Sequence, residues 1–411
     1  MTSSHRILMI APTSFFLDYG CHVRILEEAR ALKTQGQQVR IVTYYLGRDW
    51  PGLDIVRSMP TPWHADYEVG SSRHKIAFDL LLSWRALVET LRWRPHLIHG
   101  HLHEGALIGW ALSRFTGIPL VFDFQGSLTD EMIDHGFIRR NAPGYYWWRR
   151  LEARIVEMPD AIITSSSHTI DLLAEAFNRS DGVYALPDTV DLDFFTPHVI
   201  DPAERASQRA ALGIPPNRCV IAYLGLLADY QGIPHLLQAL AALRRQQWPV
   251  TGLIMGFPGA DTYEARARQL GLDEEDAIFT GKVPYEASPA HLALGDIAVA
   301  PKISKTEGNG KILNYMGMAL PVVAYETKIS REYLGPLGHY ASPIGEVDAL
   351  ADALGDAVRL WTAGETRGPD LRRRAAQRFS WQHTGSELME IYRRVWQHRG
   401  TRRRPQEGER G

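Results

Sequence analysis

A chain of 411 residues is too long for one ordinary hydrophobic core and points to two units that each bury apolar surface. Its 45% apolar and 22% charged residues suit a soluble globular protein, and a net charge of −2 excludes a general polyanion-binding field, so nucleic acid is not an expected partner. Only Cys21 and Cys219 are present, half a chain apart, which excludes a disulfide framework, fits a reducing cytoplasm and leaves both thiols as small buried side chains.

Taken in chain order, short β-branched or apolar runs alternate with amphipathic helical stretches, the pattern of a parallel sheet with crossover helices. The chain enters a short apolar run at Ile7, and no segment has the length of a signal-peptide core or a membrane span. Any membrane contact is therefore expected to be peripheral, at the inner face. First-half strands are predicted at 7–11, 39–44, 97–99, 120–124, 161–165 and 183–186. Between the first two, Ile25, Leu26, Ala29 and Leu32 fall at helical spacing, and Gly36 is placed to end the helix. Residues 191–216, rich in Pro, Asp and Ala, read as the segment between two halves. Second-half strands are predicted at 220–224, 251–255, 277–280, 297–300 and 322–325, with a helix over 233–245 that aligns Leu236, Leu240 and Leu243. After a loop at 364–369, residues 370–398 read as one basic amphipathic helix carrying Trp381, Leu388, Ile391, Tyr392 and Val395. The expected fold class is α/β: two Rossmann-like doubly wound domains over 1–195 and 196–378, a helix over 379–398 packing back on the first, and a disordered tail over 399–411.

Such sheets bind ligands just outside the carboxyl ends of their strands, so the chemistry belongs in the loops that follow them. The turn Gly308-Asn309-Gly310 follows the strand at 297–300, carries Lys302, Lys305 and Lys311 nearby and opens a helix near Lys311. Free N–H groups, a helix end and ammonium groups together suit a diphosphate, although an arbitrary three-lysine stretch would be a solvated loop. The spacing is not that of a P-loop. Asn314, one turn along, either offers its amide to ribose hydroxyls or faces solvent. Glu307 is the carboxylate nearest the expected sugar position, placed to bind hydroxyls or stabilise oxocarbenium-like charge; the plainer reading is an exposed loop glutamate.

In the first half His99, His101 and His103 alternate, and on an extended strand they would share the face that a zinc site uses. No fourth ligand is evident, and His101 reads instead as a neutral hydrogen-bonding group. Asp123 and Gln125, before Gly126, are placed to line the ligand side of the sheet; alternatively Asp123 pairs with Arg139 or Arg140. Asp191-Leu192-Asp193 reads as linker chemistry with no metal. The aromatic and cationic run at 145–150 reads as a packed helix with outward arginines or as an interfacial anchor, to which the basic stretches 372–374 and 402–404 would add.

Several of these segments, in order, resemble the retaining family-4 glycosyltransferases of GT-B fold (glycosyl transferases group 1), and the resemblance covers nearly the whole chain. The residues that carry it are 8–32 with Asp18 to His22, the stretch 95–102 followed by Gly105, the stretch 186–191 with Phe195 and Pro197, Tyr223-Leu224-Gly225-Leu226-Leu227 with Gly232, Phe279-Thr280-Gly281-Lys282-Val283, Asn314-Tyr315-Met316 with 320–323, and Phe379-Ser380-Trp381 with Tyr392. Where the family has an Arg after the glycine that opens the second domain and a Lys before the next glycine, this chain has Leu226 and Gln231. The family's two glutamates eight apart fall on Thr306 and Asn314, and its His before a Gly at the fourth strand end is Gln125.

The resemblance implies transfer of a sugar from a nucleoside-diphosphate sugar to a hydroxyl acceptor, lipid-linked or polysaccharide, with retention of anomeric configuration; no redox cofactor is needed, and with the acidic triplet in the linker and no extra ligand beside the histidines no metal is expected. It implies an acceptor-side first domain with His101, Asp123 and Gln125, the reacting sugar near Glu307, and the donor near Gly20, Gly225, Val283, Lys305, Gly308, Asn309, Gly310, Lys311 and Asn314. A non-catalytic nucleotide-sugar-binding partner and a sugar-nucleotide epimerase are the alternatives. An oxidoreductase is disfavoured because no G-x-G-x-x-G follows the first strand.

Overall fold

The fold is described by a computed structural model over residues 4–16, 20–61, 75–134, 138–140, 142–304 and 308–402. Contacts divide the chain into two compact units, one made of Met1–Pro187, Thr306–Gly308 and Trp381–Gly411, the other of Asp188–Lys305 and Asn309–Ser380. Residues 188–195, assigned to the first domain on sequence, thus group with the second unit.

The first unit begins β1 (Arg6–Ala11), α1 (Gly20–Thr34), β2 (Gln38–Thr43), β3 (Asp54–Arg57), α2 (Lys75–Trp93), β4 (Leu97–His101) and α3 (Leu102–Thr116). It continues with β5 (Leu120–Phe124), α4 (Leu128–Asp134), α5 (Pro143–Glu157), β6 (Ala161–Thr164), α6 (Ser167–Phe177) and β7 (Val183–Ala185). The strands form a seven-stranded sheet in the order β3-β2-β1-β4-β5-β6-β7. All its pairings are parallel. The central strands are buried on both faces, which is why they read as nearly unbroken apolar runs. β3 has no counterpart among the expected strands. It is four residues long and lies at the sheet edge, where one partner suffices and the pattern is short.

The second unit begins with α7 (Pro202–Ala211), β8 (Cys219–Leu226), α8 (Ile233–Arg245), β9 (Val250–Phe257), α9 (Ala260–Gln269), β10 (Ala277–Gly281), α10 (Ser288–Leu292) and β11 (Ile297–Ala300). It ends with α11 (Lys311–Gly317), β12 (Val322–Tyr325), α12 (Lys328–Leu334), β13 (His339–Ala341), α13 (Val347–Thr362) and α14 (Gly368–Arg378). Its sheet runs β10-β9-β8-β11-β12-β13, again all parallel. The other unexpected strand, β13, is three residues long and also an edge. Within the predicted linker, α7 is fastened rather than loose: Arg205 and Arg209 grip Asp296 at 2.7 and 2.9 Å and donate to the carbonyls of Ala293 and Leu294.

The helix expected over 370–398 is two helices. α14 ends at Arg378, Val190 N–H donates to the Phe379 carbonyl at 2.9 Å, and Ser380 forms an isolated bridge with Val190. The chain then turns into α15 (Trp381–Arg402), which belongs to the first unit, as expected of a returning helix. α15 lies so close on α1 that a Cβ at Gly385 would sit 2.8 Å from the Ala31 carbonyl oxygen. The Tyr392 hydroxyl is 2.7 Å from His99 Nδ1, Trp396 Nε1 donates to the His96 carbonyl, and Arg399 reaches Asp160 at 2.8 Å. The helix runs to Arg402, past the expected start of the tail, and residues 403–411 lie outside the described residues. No helix among the described residues is long and apolar enough to cross a membrane.

Candidate active site

In the first unit the loops at the carboxyl ends of β1, β4 and β5 converge on a buried charged cluster. β4 places His99 and His101 on one face with their rings stacked at 4.4 Å, as the alternation requires. His103 does not join them. The chain turns at Leu102, whose φ of 58° lies in the left-handed region, and α3 starts there, so the third ring packs on Phe122 and Phe124. The predicted three-histidine face is therefore not formed.

Asp123, fully buried at the penultimate position of β5, is the hub. Arg24 on α1 donates to it through Nε at 3.0 and 3.1 Å and Nη2 at 2.8 Å. His101 Nδ1–H donates at 3.0 Å and Gln125 Nε2 at 2.7 Å. Burial alone would raise the Asp123 carboxyl, but Arg24 and His101 hold it well below the usual carboxylate range. Arg24, not Arg139 or Arg140, is its cationic partner; Arg140 lies 3.6 Å from Asp130. An ionised Asp123 fixes the His101 tautomer and leaves Nε2 as the outer nitrogen, which has no hydrogen-bond partner among the described residues. Burial, reinforced by neighbouring His101 and Arg24, pushes His99 well below its ordinary value and keeps it neutral.

Glu28, His99, His101 and Asp123 bring ligand-type atoms within 4.8 Å of one another. The Arg24 guanidinium already sits among them, 3.0 Å from Glu28 and 2.8 Å from Asp123. A divalent cation there would face that positive charge, so the group suits an arginine-centred network better than a metal.

The loop after β5 is fixed by Glu152 of α5, which accepts from the N–H groups of Leu128 and Thr129 and from the Thr129 hydroxyl, closing the start of α4. Burial would raise the Glu152 carboxyl, yet His103 and the hydroxyls of Thr129 and Ser127 lower it to about 2. Gly20 opens α1 and is exposed; the preceding residues 17–19, with Asp18 and Tyr19, lie outside the described residues.

In the second unit the loops after β8 and β11 meet around Lys311. Its Nζ lies 2.7 Å from Gln231 Oε1, 3.1 Å from the Tyr223 hydroxyl and 4.6 Å from the centre of the Tyr223 ring. Gly225 makes this approach feasible: its φ is 154°, and a Cβ there would sit 3.1 Å from both Cε and Nζ of Lys311. Gly232 is more tightly constrained. With φ 81°, a Cβ would meet the Pro301 carbonyl oxygen at 1.9 Å, so this glycine locks the β8 loop against the end of β11. The Tyr315 hydroxyl accepts from the Leu224 N–H at 2.9 Å and fixes α11 to the end of β8.

Asn309 is buried, and its Oδ1 has no hydrogen-bond partner among the described residues. Gly310 precedes α11, and Asn314 is half-buried three residues after Lys311, on the same helix face. Gly308 groups by its contacts with the first unit. Val283 and Lys302 are buried. Lys305 and Glu307 lie outside the described residues. α11 has only seven residues, so little of the expected helix dipole is available and the positive charge rests with Lys311.

The sequence assigns no role to Arg24, and Tyr223 enters there only as part of the motif that opens the second domain. An arginine seven residues before Ala31 and eight before Leu32, on the helix side that carries both, was the signal that Arg24 points inward. The basic stretch at 372–374 is largely structural: Arg372 donates to the carbonyls of Phe195, Leu192 and Gly317, and Arg374 to those of Tyr333 and Glu332. Cys219 is buried and Cys21 half-buried, and burial with Glu131 nearby pushes the Cys21 thiol up to about 12. Both are free cysteines.

Residues 19–189 match the glycosyl transferase 4-like domain, and residues 218–360 match glycosyl transferases group 1. Over 250 residues the chain is 31% identical to a GDP-mannose-dependent α-(1-6)-phosphatidylinositol monomannoside mannosyltransferase of Mycolicibacterium smegmatis, with 58% of this chain and 63% of that protein aligned. It is 26% identical over 406 residues to a D-inositol 3-phosphate glycosyltransferase of Jonesia denitrificans, covering 92% of this chain and 91% of the relative. Among solved structures the fold resembles sucrose-phosphate synthase of Thermosynechococcus elongatus, with a TM-score of 0.78 at 17% identity over 96% of this chain and all of that one. It also resembles Anabaena HepE in complex with UDP and glucose, with a TM-score of 0.75 at 17% identity over 95% of this chain and 99% of that one. With two parallel α/β sheets of GT-B type and family matches spanning most of its length, the chain belongs to the family-4, group 1 glycosyltransferases.

Proposed function

We propose that this glycosyltransferase moves a sugar from a nucleoside-diphosphate sugar to a hydroxyl acceptor with retention of anomeric configuration. The observation that carries the reading is Lys311, held by Gln231 and Tyr223 at the carboxyl end of β8. Gln231 occupies the position where the family's phosphate-binding lysine is expected, and its amide oxygen holds the ammonium of Lys311. The cation is thus restored from a different element. In the transfer, the bond from the anomeric carbon to the donor diphosphate breaks and its electron pair leaves with the diphosphate. A bond forms from the acceptor oxygen to the same carbon. In a single displacement with retention the acceptor arrives on the face that the diphosphate leaves, so the departing phosphate oxygen is the nearest base for the acceptor proton. Lys311 stabilises the charge that develops on that leaving group, and Asn309 and Asn314 offer hydrogen-bonding groups beside it. In the first unit, His101 and Gln125, both oriented by Asp123, are the groups we assign to the acceptor side.

The mycobacterial relative's description makes GDP-mannose the first donor and a phosphatidylinositol monomannoside the first acceptor to test, and that of the Jonesia relative adds D-inositol 3-phosphate. Release of nucleoside diphosphate and product by the purified chain should fall by about tenfold or more with Lys311→Ala, while Gln231→Ala should cost less. If Lys311→Ala retains wild-type donor affinity and rate, the donor phosphates are bound elsewhere.

A further inference from the structure

α15 has ample means of docking without Tyr392. Leu388, Met389, Ile391 and Val395 are buried, and Arg399 pairs with Asp160 and donates to the Gly117 carbonyl. Tyr392 is fully buried, and its hydroxyl ends 2.7 Å from Nδ1 of His99, which is fully buried too. A phenylalanine would supply the same apolar ring with no polar atom to satisfy, and a buried hydroxyl paired with a buried nitrogen contributes little net stability. What such a pair does supply is direction.

That direction runs from ring to ring. Burial, with His101 and Arg24 nearby, keeps His99 neutral, so one ring nitrogen carries a proton and the other accepts. Glu28 Oε2 lies 3.6 Å from Nε2, which draws the proton to that nitrogen and leaves Nδ1 to accept from Tyr392. Tyr392 keeps its proton, since burial and the Glu28 and Asp123 carboxylates push its phenol well above its ordinary value. The face of the His99 ring, set in this way, lies against His101, 4.4 Å away with the planes 19° apart. Asp123 grips His101 at Nδ1, which fixes one corner of that ring and leaves its tilt to the neighbouring face. His101 and Gln125 donate to the same oxygen of Asp123, Oδ2, at 3.0 and 2.7 Å, so a tilt of the one is felt by the other. All these residues belong to the first unit.

Given that His101 and Gln125 serve the acceptor side, we propose that Tyr392 is a positioning residue for the transfer: its hydroxyl fixes the His99 ring, and the face of His99 sets the plane of His101. The carboxyl-terminal helix then completes the acceptor side as well as the fold of the first unit.

The test compares Tyr392→Phe with Arg399→Gln, which removes the anchor of the same helix to Asp160. Long-range proton–nitrogen NMR of the full chain labelled at histidine should show His99 protonated on Nε2 and His101 on Nδ1. In Tyr392→Phe the His99 proton should redistribute between its nitrogens and the His101 ring signals should shift; in Arg399→Gln both should stay as in wild type. With GDP-mannose and a phosphatidylinositol monomannoside as probes, Tyr392→Phe should lower kcat roughly tenfold and leave the donor's KM unchanged, whereas Arg399→Gln should lower the melting temperature alone. The double variant His99→Phe with Tyr392→Phe trades the polar pair for two apolar rings, keeps a face on His101 and should recover most of the lost rate. It is also the deciding variant should Tyr392→Phe fail to fold. Unshifted His101 signals, a wild-type kcat in Tyr392→Phe, an equal loss in Arg399→Gln or no recovery in the double variant would each overturn the proposal. A wild type that transfers to no acceptor while its His101 signals respond to Tyr392→Phe would instead overturn the acceptor-side reading on which the proposal rests.

Discussion

Two loop clusters, each at the carboxyl edge of a parallel sheet, use charge in opposite ways. In the first unit Arg24, Asp123 and Glu28 are fully or almost fully buried and directed at one another, so their charges hold the loops in place. In the second, Lys311 is half-buried on a short helix and rests on an amide oxygen and a phenol hydroxyl. The contrast separates positioning from binding: replacing a member of the first cluster should chiefly unfold the protein, and replacing Lys311 should chiefly unload it.

The largest expected effect is that of Asp123→Ala. It takes from the buried Arg24 guanidinium the carboxylate that accepts from its Nε and Nη2, leaving it Glu28 alone, and should cost about 3–5 kcal/mol in denaturant unfolding. A cost below about 1 kcal/mol would mean that the network is not structural. Next comes acid sensitivity. Because the folded Glu152 carboxyl is lowered to about 2 from its ordinary 4.5, its contribution is complete above that ordinary value and disappears as pH falls toward 2. The loss is on the order of 2–3 kcal/mol. Glu152→Gln should flatten the stability profile between pH 5 and about 2, and an unchanged profile would contradict the assignment.

Gly232→Ala probes the second cluster's scaffold. A strained φ and the collision with the Pro301 carbonyl should cost at least about 2 kcal/mol, visible as a lowered unfolding midpoint. The smallest expected effect sharpens the comparison most. Lys311→Ala should change stability by no more than about 1 kcal/mol while abolishing the thermal shift that a nucleotide sugar gives to wild type. A large stability loss there would make Lys311 another structural cation and remove the distinction.

Much of the architecture was legible in the sequence because buried parallel strands and crossover helices leave strong local signals. The helix over 233–245 and the strands at 120–124, 297–300 and 322–325 have the expected bounds. The two edge strands were not legible, since three or four residues with one partner carry little pattern. Nor was the break at Phe379–Ser380, because amphipathic periodicity continues across it and only the pairing with Val190 interrupts the helix. The contact of Lys311 with Gln231 and the grip of Arg24 on Asp123 join residues 80 and 99 positions apart. A single sequence offers the identities of such residues but not their meeting. The alternating histidines misled for a local reason: the strand ends at His101, two residues before the pattern does.

The return of α15 to the first unit has a consequence for synthesis. Residues up to Pro187 leave the ribosome with the outer side of α1 uncovered and His99 without Tyr392, and the helix that supplies both follows only after the whole second unit has been made. At about 5–20 residues per second that interval is roughly ten to forty seconds. Throughout it the amino-terminal sheet is an unfinished body with apolar surface exposed to chaperones and to its neighbours, so the unit translated first is the last to be completed.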